Sequence, residues 1–215
     1  MFAREAGCMT TIRETPTAAP VDPRPLYRDA LDWTAGRIAA VRPDQLALPT
    51  DCTEFDVRAL LGHLLCTVRR ATVVGNGGDP LVVPLVVVGV DDWAGSYRRA
   101  ADEALAAWAE DARLDELRTV PWGSVPGRAA VSGYLNEALV HGHDLARATG
   151  QDAEAPARVA EPALATAARV LPGHHRGEGV PFDPPVTPAA DAGPTERLAN
   201  WSGRVTRPAG PSVAG

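Results

Sequence analysis

The fold is decided by the stretch PTDCTEFDVRALLGHLLCTVRR, which runs from Pro49 to Arg70. Thr53 and Asp56 stand three positions apart just ahead of an apolar run, a spacing typical of a helix N-terminus. Apolar residues then recur at helical intervals, which predicts an amphipathic helix over about residues 54–74. The apolar face of this helix consists of five residues: Leu60, Leu61, Leu64, Leu65 and Val68.

The rest of the chain repeats this pattern of amphipathic helices, separated by loops rich in glycine and proline such as GNGGDP and PWGSVPG. Helices are predicted at three further places: about residues 23–42, 91–110 and 127–149. Four helices of this length predict an all-α four-helix bundle. An additional helix is expected over about residues 156–171, followed by a proline-rich tail with one short helix near residues 194–202. No strand is predicted.

These elements predict one domain over residues 23–205, flanked by disordered segments at residues 1–22 and 206–215. The longest apolar run, LVVPLVVVGV from Leu81 to Val90, contains a proline. It falls far short of the ~20 residues that a membrane-spanning helix needs. We interpret it as a buried loop or a short extended segment between helices.

The composition is that of an ordinary globular protein, with 45% hydrophobic and 22% charged residues. A formal net charge of −6 argues against a nucleic-acid or anionic-membrane surface. We therefore expect a small-molecule partner, with the chain a monomer or a homodimer. All 21 cationic residues are arginine, which is typical of GC-rich genomes such as those of actinobacteria. Three cysteines without a CxxC pair, and an N-terminus without a signal-peptide core, predict a cytoplasmic protein.

The candidate site consists of His63 on the second predicted helix and of Glu137 and His141 on the fourth. Glu137 and His141 are four positions apart and therefore project from one helical face, one turn apart. His63 borders the leucine face of its own helix and could meet the pair across the bundle. Two imidazoles and one carboxylate are the ligands of an open zinc site, in which a fourth position is left for water or substrate.

The same three residues also fit other interpretations. Each could be a core polar group in a hydrogen-bond network, and two histidines with one carboxylate also suit nickel or non-haem iron. The sequence has no HExxH motif and no pair of Glu-x-x-His motifs, which argues against a zincin protease and a di-iron bundle. His143 lies on roughly the opposite side of the helix from His141. His174 and His175 are expected in an exposed loop.

The phrases PTDCTEFDVRALLGHLL, YLNEALVHGHDLARATG and VPFDPPVTPAADAGPTERLANWSGR, in this order, resemble the actinobacterial DinB-like metal-binding proteins. These are relatives of the N-terminal domain of mycothiol-dependent maleylpyruvate isomerase. The resemblance covers about residues 25–205 and implies a DinB-like four-helix bundle that binds a divalent metal, usually zinc. The implied ligands are one histidine of the second helix and a Glu-x-x-x-His pair of the fourth. They fall on His63, Glu137 and His141.

The resemblance also implies a metal-dependent transferase or isomerase. In such an enzyme a low-molecular-weight thiol such as mycothiol is the co-substrate and attacks a small electrophilic molecule as its thiolate. A cyclase or hydrolase of secondary metabolism on the same scaffold is one alternative, and a non-catalytic metal-binding module is another. The sequence departs from the family in two ways. His143 replaces the usual tryptophan, and the isomerase's C-terminal domain is expected to be absent or reduced to the tail.

Neighbouring residues could complete the site. Asp144 could orient a metal ligand, or could pair with Arg147 on the helix surface. Cys66 and Asp144 are candidates for a fourth ligand, which would close the coordination sphere of a structural metal. The carboxylates of a substrate or cofactor could be bound by Arg58, Arg70 or Arg147.

Overall fold

The computed structural model of the chain describes residues 21–170 and 183–206. It contains six α-helices and one two-stranded sheet: α1 (Arg24–Ala39), α2 (Val57–Gly75), α3 (Trp93–Ala107), β1 (Leu117–Val120), β2 (Gly123–Pro126), α4 (Gly127–Ala148), α5 (Ala157–Val170) and α6 (Pro194–Trp201). This architecture confirms the all-α prediction. The predicted disordered segments fall almost entirely outside the described residues, as do His174 and His175. Among the described helices, none has the length and apolar character needed to cross a membrane.

The first four helices enclose a single hydrophobic core. Helix α2 packs against α3 and α4, and α1 packs against the same two helices. Helices α5 and α6 pack against each other and against α4. The largest fully buried side chains come from every helix of the bundle and from α6, and include Tyr27, Leu60, Leu64, Tyr97, Trp108, Tyr134, Leu139 and Leu198. Helix α4 is therefore shared between the bundle and the C-terminal helices.

Two aspartates determine where helices α2 and α3 begin. The Asp56 carboxylate accepts a hydrogen bond of 2.8 Å from the backbone N–H of Ala59, and the Asp92 carboxylate accepts one of 2.8 Å from Gly95. Such caps satisfy N–H groups that have no partner within the helix. Helix α2 therefore begins at Val57 rather than near residue 54, because Asp56 rather than Thr53 is its cap.

A short β-hairpin directly precedes α4, so the expectation of no strand is wrong. Strands β1 and β2 pair antiparallel, with Val120 opposite Gly123, which has a φ of 138°. Each strand has four residues, too few for an alternating hydrophobic pattern to be recognised, and PWGSVPG resembles an ordinary loop. The hairpin places Trp122 against α4, where a Cβ at Gly133 would lie 2.6 Å from the indole Cζ2.

The apolar segment from Leu81 to Val90 begins in a short 3-10 helix (Pro80–Val82) and continues as a loop across α2. The expectation that it is buried is wrong for four of its large side chains, which are exposed: Leu81, Val82, Leu85 and Val88. What lies close to the core is the backbone of the segment, because a Cβ at Gly62 would lie only 2.2 Å from the Val87 carbonyl oxygen. Glycine at this position of α2 is therefore what allows the segment to approach the helix.

We expect the Gly62→Ala substitution to reduce the free energy of unfolding by about 1–3 kcal/mol, since the added methyl group overlaps a backbone carbonyl. Gly36 of α1 is the matched control, because a Cβ there meets nothing within 4 Å. Gly36→Ala should leave stability unchanged or raise it by about 0.5–1 kcal/mol. Urea unfolding of the two variants and the parent protein measures the difference, and equal effects at both positions would contradict the close approach.

Candidate metal centre

Helices α2 and α4 bring the three predicted ligands together. His63, Glu137 and His141 each offer one ligand atom, and these atoms all lie within 4.8 Å of one another. The Glu137 Oε2 atom lies 3.4 Å from His141 Nε2 and 3.9 Å from His63 Nε2. The two imidazole rings meet edge to face, with centroids 4.8 Å apart. Two nitrogens and one carboxylate oxygen therefore face a common point between the helices.

The Nδ1 atoms of both histidines are engaged elsewhere. His63 Nδ1 donates to the Leu85 carbonyl at 3.0 Å, and His141 Nδ1 donates to the Asp144 carboxylate at 3.1 Å. A neutral imidazole that donates from Nδ1 carries a lone pair on Nε2. In this neutral form both lone pairs point toward the Glu137 carboxylate, whereas a protonated ring places an N–H there instead. Three acceptors that face each other repel unless a cation or a proton lies between them, so this donor set fits a divalent metal ion.

The cluster lies at the edge of the core rather than deep within it. The side chains of His63 and His141 are each 9% exposed, whereas that of Glu137 is 23% exposed, so solvent reaches the cluster on the Glu137 side. The Phe55 ring packs against His63 with centroids 5.0 Å apart. The cluster is therefore open to solvent at Glu137, whereas an aromatic ring lies against His63.

The electrostatics of the cluster favour positive charge at its centre. Burial alone would raise the pKa of Glu137, but the facing imidazoles of His141 and His63 hold this pKa well below its usual range. Burial alone would lower the pKa of His141, but its hydrogen bond to Asp144 and the nearby Glu137 carboxylate raise it to about 9. Glu137 is therefore an anion at neutral pH, as a metal ligand must be.

Asp144 binds His141 on its Nδ1 side, away from Glu137, and Arg204 in turn binds Asp144. Asp144 is fully buried and lies 3.1 Å from His141 Nδ1, while Arg204 Nε donates to both Asp144 oxygens at 3.1 and 3.3 Å. Burial works to raise the pKa of Asp144, but His141 and Arg204 together lower it. The predicted orienting role of Asp144 thus has a structural basis. Its alternative pairing with Arg147 is wrong, because Arg147 bonds to Asp51 and to the Thr206 carbonyl.

Of the two predicted fourth ligands, neither reaches the convergence point. Asp144 contacts the Nδ1 side of His141, away from Glu137. The buried Cys66 thiol faces the backbone of Val87, and burial raises its pKa. Cys52, which no motif of the sequence indicates as a ligand, lies within 4.8 Å of ligand atoms of His141 and Asp144. It is grouped with Asp144 rather than with Glu137 and His63.

The remaining candidates occupy different places. His143 groups with Asp51 and Asp144 rather than with the three converging ligands. Arg58 is exposed on α2. Arg70 donates from Nη2 to the carbonyls of Val83 at 3.1 Å and Pro84 at 2.7 Å. The next residue is Leu85, whose carbonyl accepts the hydrogen bond from His63. Of the three predicted arginines, Arg70 is thus the one that binds the same segment as His63 does.

Fold and site together define a helical-bundle protein with a candidate metal centre between its second and fourth helices. The chain belongs to the family of the mycothiol maleylpyruvate isomerase N-terminal domain, whose family model matches residues 27–146. The resemblance seen in the sequence is thereby confirmed. Similar proteins include two uncharacterized proteins of Mycobacterium tuberculosis, from strains CDC 1551 and H37Rv. Each is 30% identical over 188 residues, which cover 87% of this chain and 100% of theirs. No solved structure matches the chain.

The Asp144→Asn substitution should weaken zinc binding by about 10- to 100-fold, because an amide holds the His141 ring less strongly than a carboxylate does. Asp51→Asn is the matched control. Asp51 pairs with Arg147, and among the described residues it forms no hydrogen bond or ion pair with His63 or His141. Competition with a chromophoric zinc chelator measures both affinities. An Asp144→Asn protein that binds zinc as tightly as the Asp51→Asn protein would contradict the orienting role.

Chelator-treated protein should lose stability as the pH rises from about 6.5 to about 9. The pKa of His141 is raised in the folded state, so its contribution is complete below pH 6.5 and is lost as the pH passes about 9. The loss amounts to roughly 3 kcal/mol at most. His143, whose pKa burial lowers, acts with the opposite sign and below pH 6.5.

Urea unfolding across this pH range tests the expectation. The His141→Gln variant should show a flat profile between pH 6.5 and 9, because the titrating ring is gone. The same slope in parent and variant would assign the pH dependence to another group.

Proposed function

We propose that His63, Glu137 and His141 hold a divalent metal ion, zinc by preference, and that the centre serves a thiol-dependent transferase or isomerase. One observation carries the metal proposal. Both histidines have Nδ1 bound by an acceptor, so Nε2 of each faces Glu137 as a ligand atom. The Thr67 hydroxyl lies 3.5 Å from His63 Nε2 but donates at 3.0 Å to the His63 carbonyl, so the Nε2 lone pair remains available to a metal. In zinc proteins an acceptor on the second nitrogen is what fixes the tautomer and the ring orientation.

The ligand set favours an open centre over a closed structural one. Structural zinc sites have four protein ligands, usually cysteines and histidines, whereas catalytic sites have three and leave one position for water or substrate. Here Asp144 contacts the outer side of His141, and the Cys66 thiol faces Val87. Among the described residues the centre therefore has three donors and a solvent-exposed side at Glu137.

The thiol proposal rests on the family and on charge. When bound, zinc lowers the pKa of a coordinated thiol and so makes the thiolate available at neutral pH. Two neutral histidines and one carboxylate balance only half of the charge of a divalent cation. One further anion, such as a thiolate, would make the buried centre electrically neutral, which burial favours.

The residues of the chain supply orientation and exclude water. Phe55 covers the face of His63, and the backbone of the Leu81–Val90 segment fixes the His63 ring through Leu85. Arg204 and Asp144 fix the His141 ring. Glu137, on the exposed side, is the ligand that an incoming molecule meets first. A small electrophile is the substrate class that suits a centre exposed only at Glu137.

Metal content is the direct test. Tag-free protein should contain close to one zinc per chain by elemental analysis, and His63→Ala should lose it because one of three donors is removed. His143→Gln is the control, since His143 lies outside the converging set. Iron or nickel in place of zinc would change the metal but not the ligands. Metal-free parent protein that takes up no added zinc would overturn the proposal and leave the three residues as a hydrogen-bond network.

The same preparations test the role of the thiol. Turnover of small electrophiles should require added mycothiol and should disappear in His63→Ala. Turnover that needs the metal but no thiol would instead support a hydrolase or cyclase, in which metal-bound water or the cavity itself acts.

A further inference from the structure

Two buried donors beside the candidate metal centre have no acceptor. The Tyr134 hydroxyl and Arg70 Nε are both inaccessible to solvent, and neither has a hydrogen-bond partner among the described residues. Tyr134 as a whole is 1% exposed. Buried polar groups are almost always paired. The Tyr97 hydroxyl on α3 is also unpaired, so what distinguishes Tyr134 and Arg70 is their position on the two helices that hold the centre.

Both donors lie on the helix faces that form the centre. Tyr134 precedes Glu137 by three residues and His141 by seven on α4, so the three share one face. Arg70 follows His63 by seven residues on α2, and side chains on a helix lean toward its N-terminus, here toward His63.

The Leu81–Val90 segment shows how near Arg70 comes to the centre. Arg70 Nη2 donates to the Pro84 carbonyl at 2.7 Å, and His63 Nδ1 donates to the carbonyl of the next residue, Leu85, at 3.0 Å. Cα atoms of adjacent residues are only about 3.8 Å apart. The guanidinium and the imidazole therefore bind neighbouring peptide groups of one segment.

The pKa of the Tyr134 hydroxyl is influenced by both Arg70 and Glu137. Burial raises the pKa of Tyr134 above its usual range, the Arg70 guanidinium works to lower it, and the Glu137 carboxylate works to raise it. The hydroxyl thus lies within electrostatic reach of both charged groups. The Trp122 ring packs edge to face on Tyr134, with centroids 5.6 Å apart, and is itself half-exposed at the tip of the hairpin.

We propose that Arg70 and Tyr134 form a carboxylate-binding subsite beside the metal centre, and that this subsite selects small molecules carrying a carboxylate. The inference rests on the proposed function, in which the reactive end of the ligand lies at the centre. Guanidinium and hydroxyl donors match the acceptor-only oxygens of a carboxylate. Tyr134 and Glu137 are separated by about one helical turn of 5.4 Å. The carboxylate and the reactive atom should therefore be only a few bonds apart.

A pair of thiols that differ only at the far end tests the subsite. The probes are 3-mercaptopropionate and 3-mercapto-1-propanol, titrated into cobalt-substituted protein, in which formation of a cobalt–sulfur bond changes the absorption spectrum. The parent protein should bind the carboxylate thiol at least about tenfold more tightly than the alcohol, the gain typical of a hydrogen bond to a charged group. Tyr134→Phe should remove most of this preference while leaving the affinity for the alcohol unchanged.

The Tyr134→Phe protein is expected to fold, because the hydroxyl that it lacks has no partner in the parent protein. Its melting temperature, measured without ligand, should equal or exceed that of the parent, as expected when an unpaired buried polar group is removed. Tyr97→Phe is the matched control. Tyr97 is equally buried and its hydroxyl is likewise without a hydrogen-bond partner among the described residues, but it lies on α3. Its replacement should therefore keep the preference for the carboxylate thiol.

Three results would overturn the subsite: no preference in the parent protein, a preference that survives in Tyr134→Phe, or an equal loss in Tyr97→Phe. If neither thiol changes the cobalt spectrum, the thiol proposal fails on its own. Binding of a carboxylate to the subsite is then tested with sodium propionate. The measurement is the rise in melting temperature that sodium propionate causes relative to sodium chloride at equal concentration. The parent protein should show this rise and Tyr134→Phe should not, and no rise in the parent would overturn the subsite as well.

Discussion

The convergence of three acceptors between α2 and α4 is the constraint around which the surrounding structure is arranged. Two imidazole nitrogens and the Glu137 carboxylate face each other at 3.4 and 3.9 Å within a mainly apolar bundle. Such an arrangement is unfavourable unless positive charge lies at its centre. It persists because each ring is fixed from behind, His63 by the Leu85 carbonyl and His141 by Asp144. The geometry of the site therefore depends on these two Nδ1 hydrogen bonds as much as on the ligands themselves.

The C-terminal residues belong to the site through one arginine. Arg204 lies beyond α6 and bonds to the buried Asp144 carboxylate of α4. The position of Arg204 is set by Asn200, which donates to the Arg204 carbonyl at 2.9 Å, and the start of α6 is set by Glu154, which accepts from the backbone N–H groups of Thr195 and Glu196. A chain of contacts thus runs from the C-terminal helix to His141, so changes in this segment are transmitted to the centre.

Two glycines next to the ligand histidines allow neighbouring elements to approach helices α2 and α4 closely. At Gly142 a Cβ would lie 2.4 Å from the Trp33 ring, so α1 and α4 pack tightly one residue beyond His141. At Gly62 the Val87 backbone approaches α2 one residue before His63. Each histidine therefore stands next to a glycine that admits a neighbour. Because packed cores transmit displacement, a methyl group at either glycine would shift the ring beside it.

Much of the fold and the inner part of the site could be predicted from sequence, because both follow from local periodicity. Helical spacing placed Leu60 and Leu64 in the core, put Glu137 and His141 on one face, and set His63 at the edge of its apolar stripe. The hairpin and the exposed course of the Leu81–Val90 segment could not be predicted. Strands of four residues carry too little pattern, and an apolar run does not reveal which of its atoms contact the core.

The set of helices and the face on which each candidate ligand lies follow from local sequence, because both depend on residues within a few turns of each other. The groups that bind the far side of each ligand come from other parts of the fold. Asp144 binds Arg204, 60 residues away, rather than its helical neighbour Arg147. His63 binds a backbone carbonyl, which carries no side-chain signal. The unpaired Tyr134 hydroxyl is likewise a property of the packed molecule, because whether a buried donor finds an acceptor depends on the paths of loops that local periodicity does not encode.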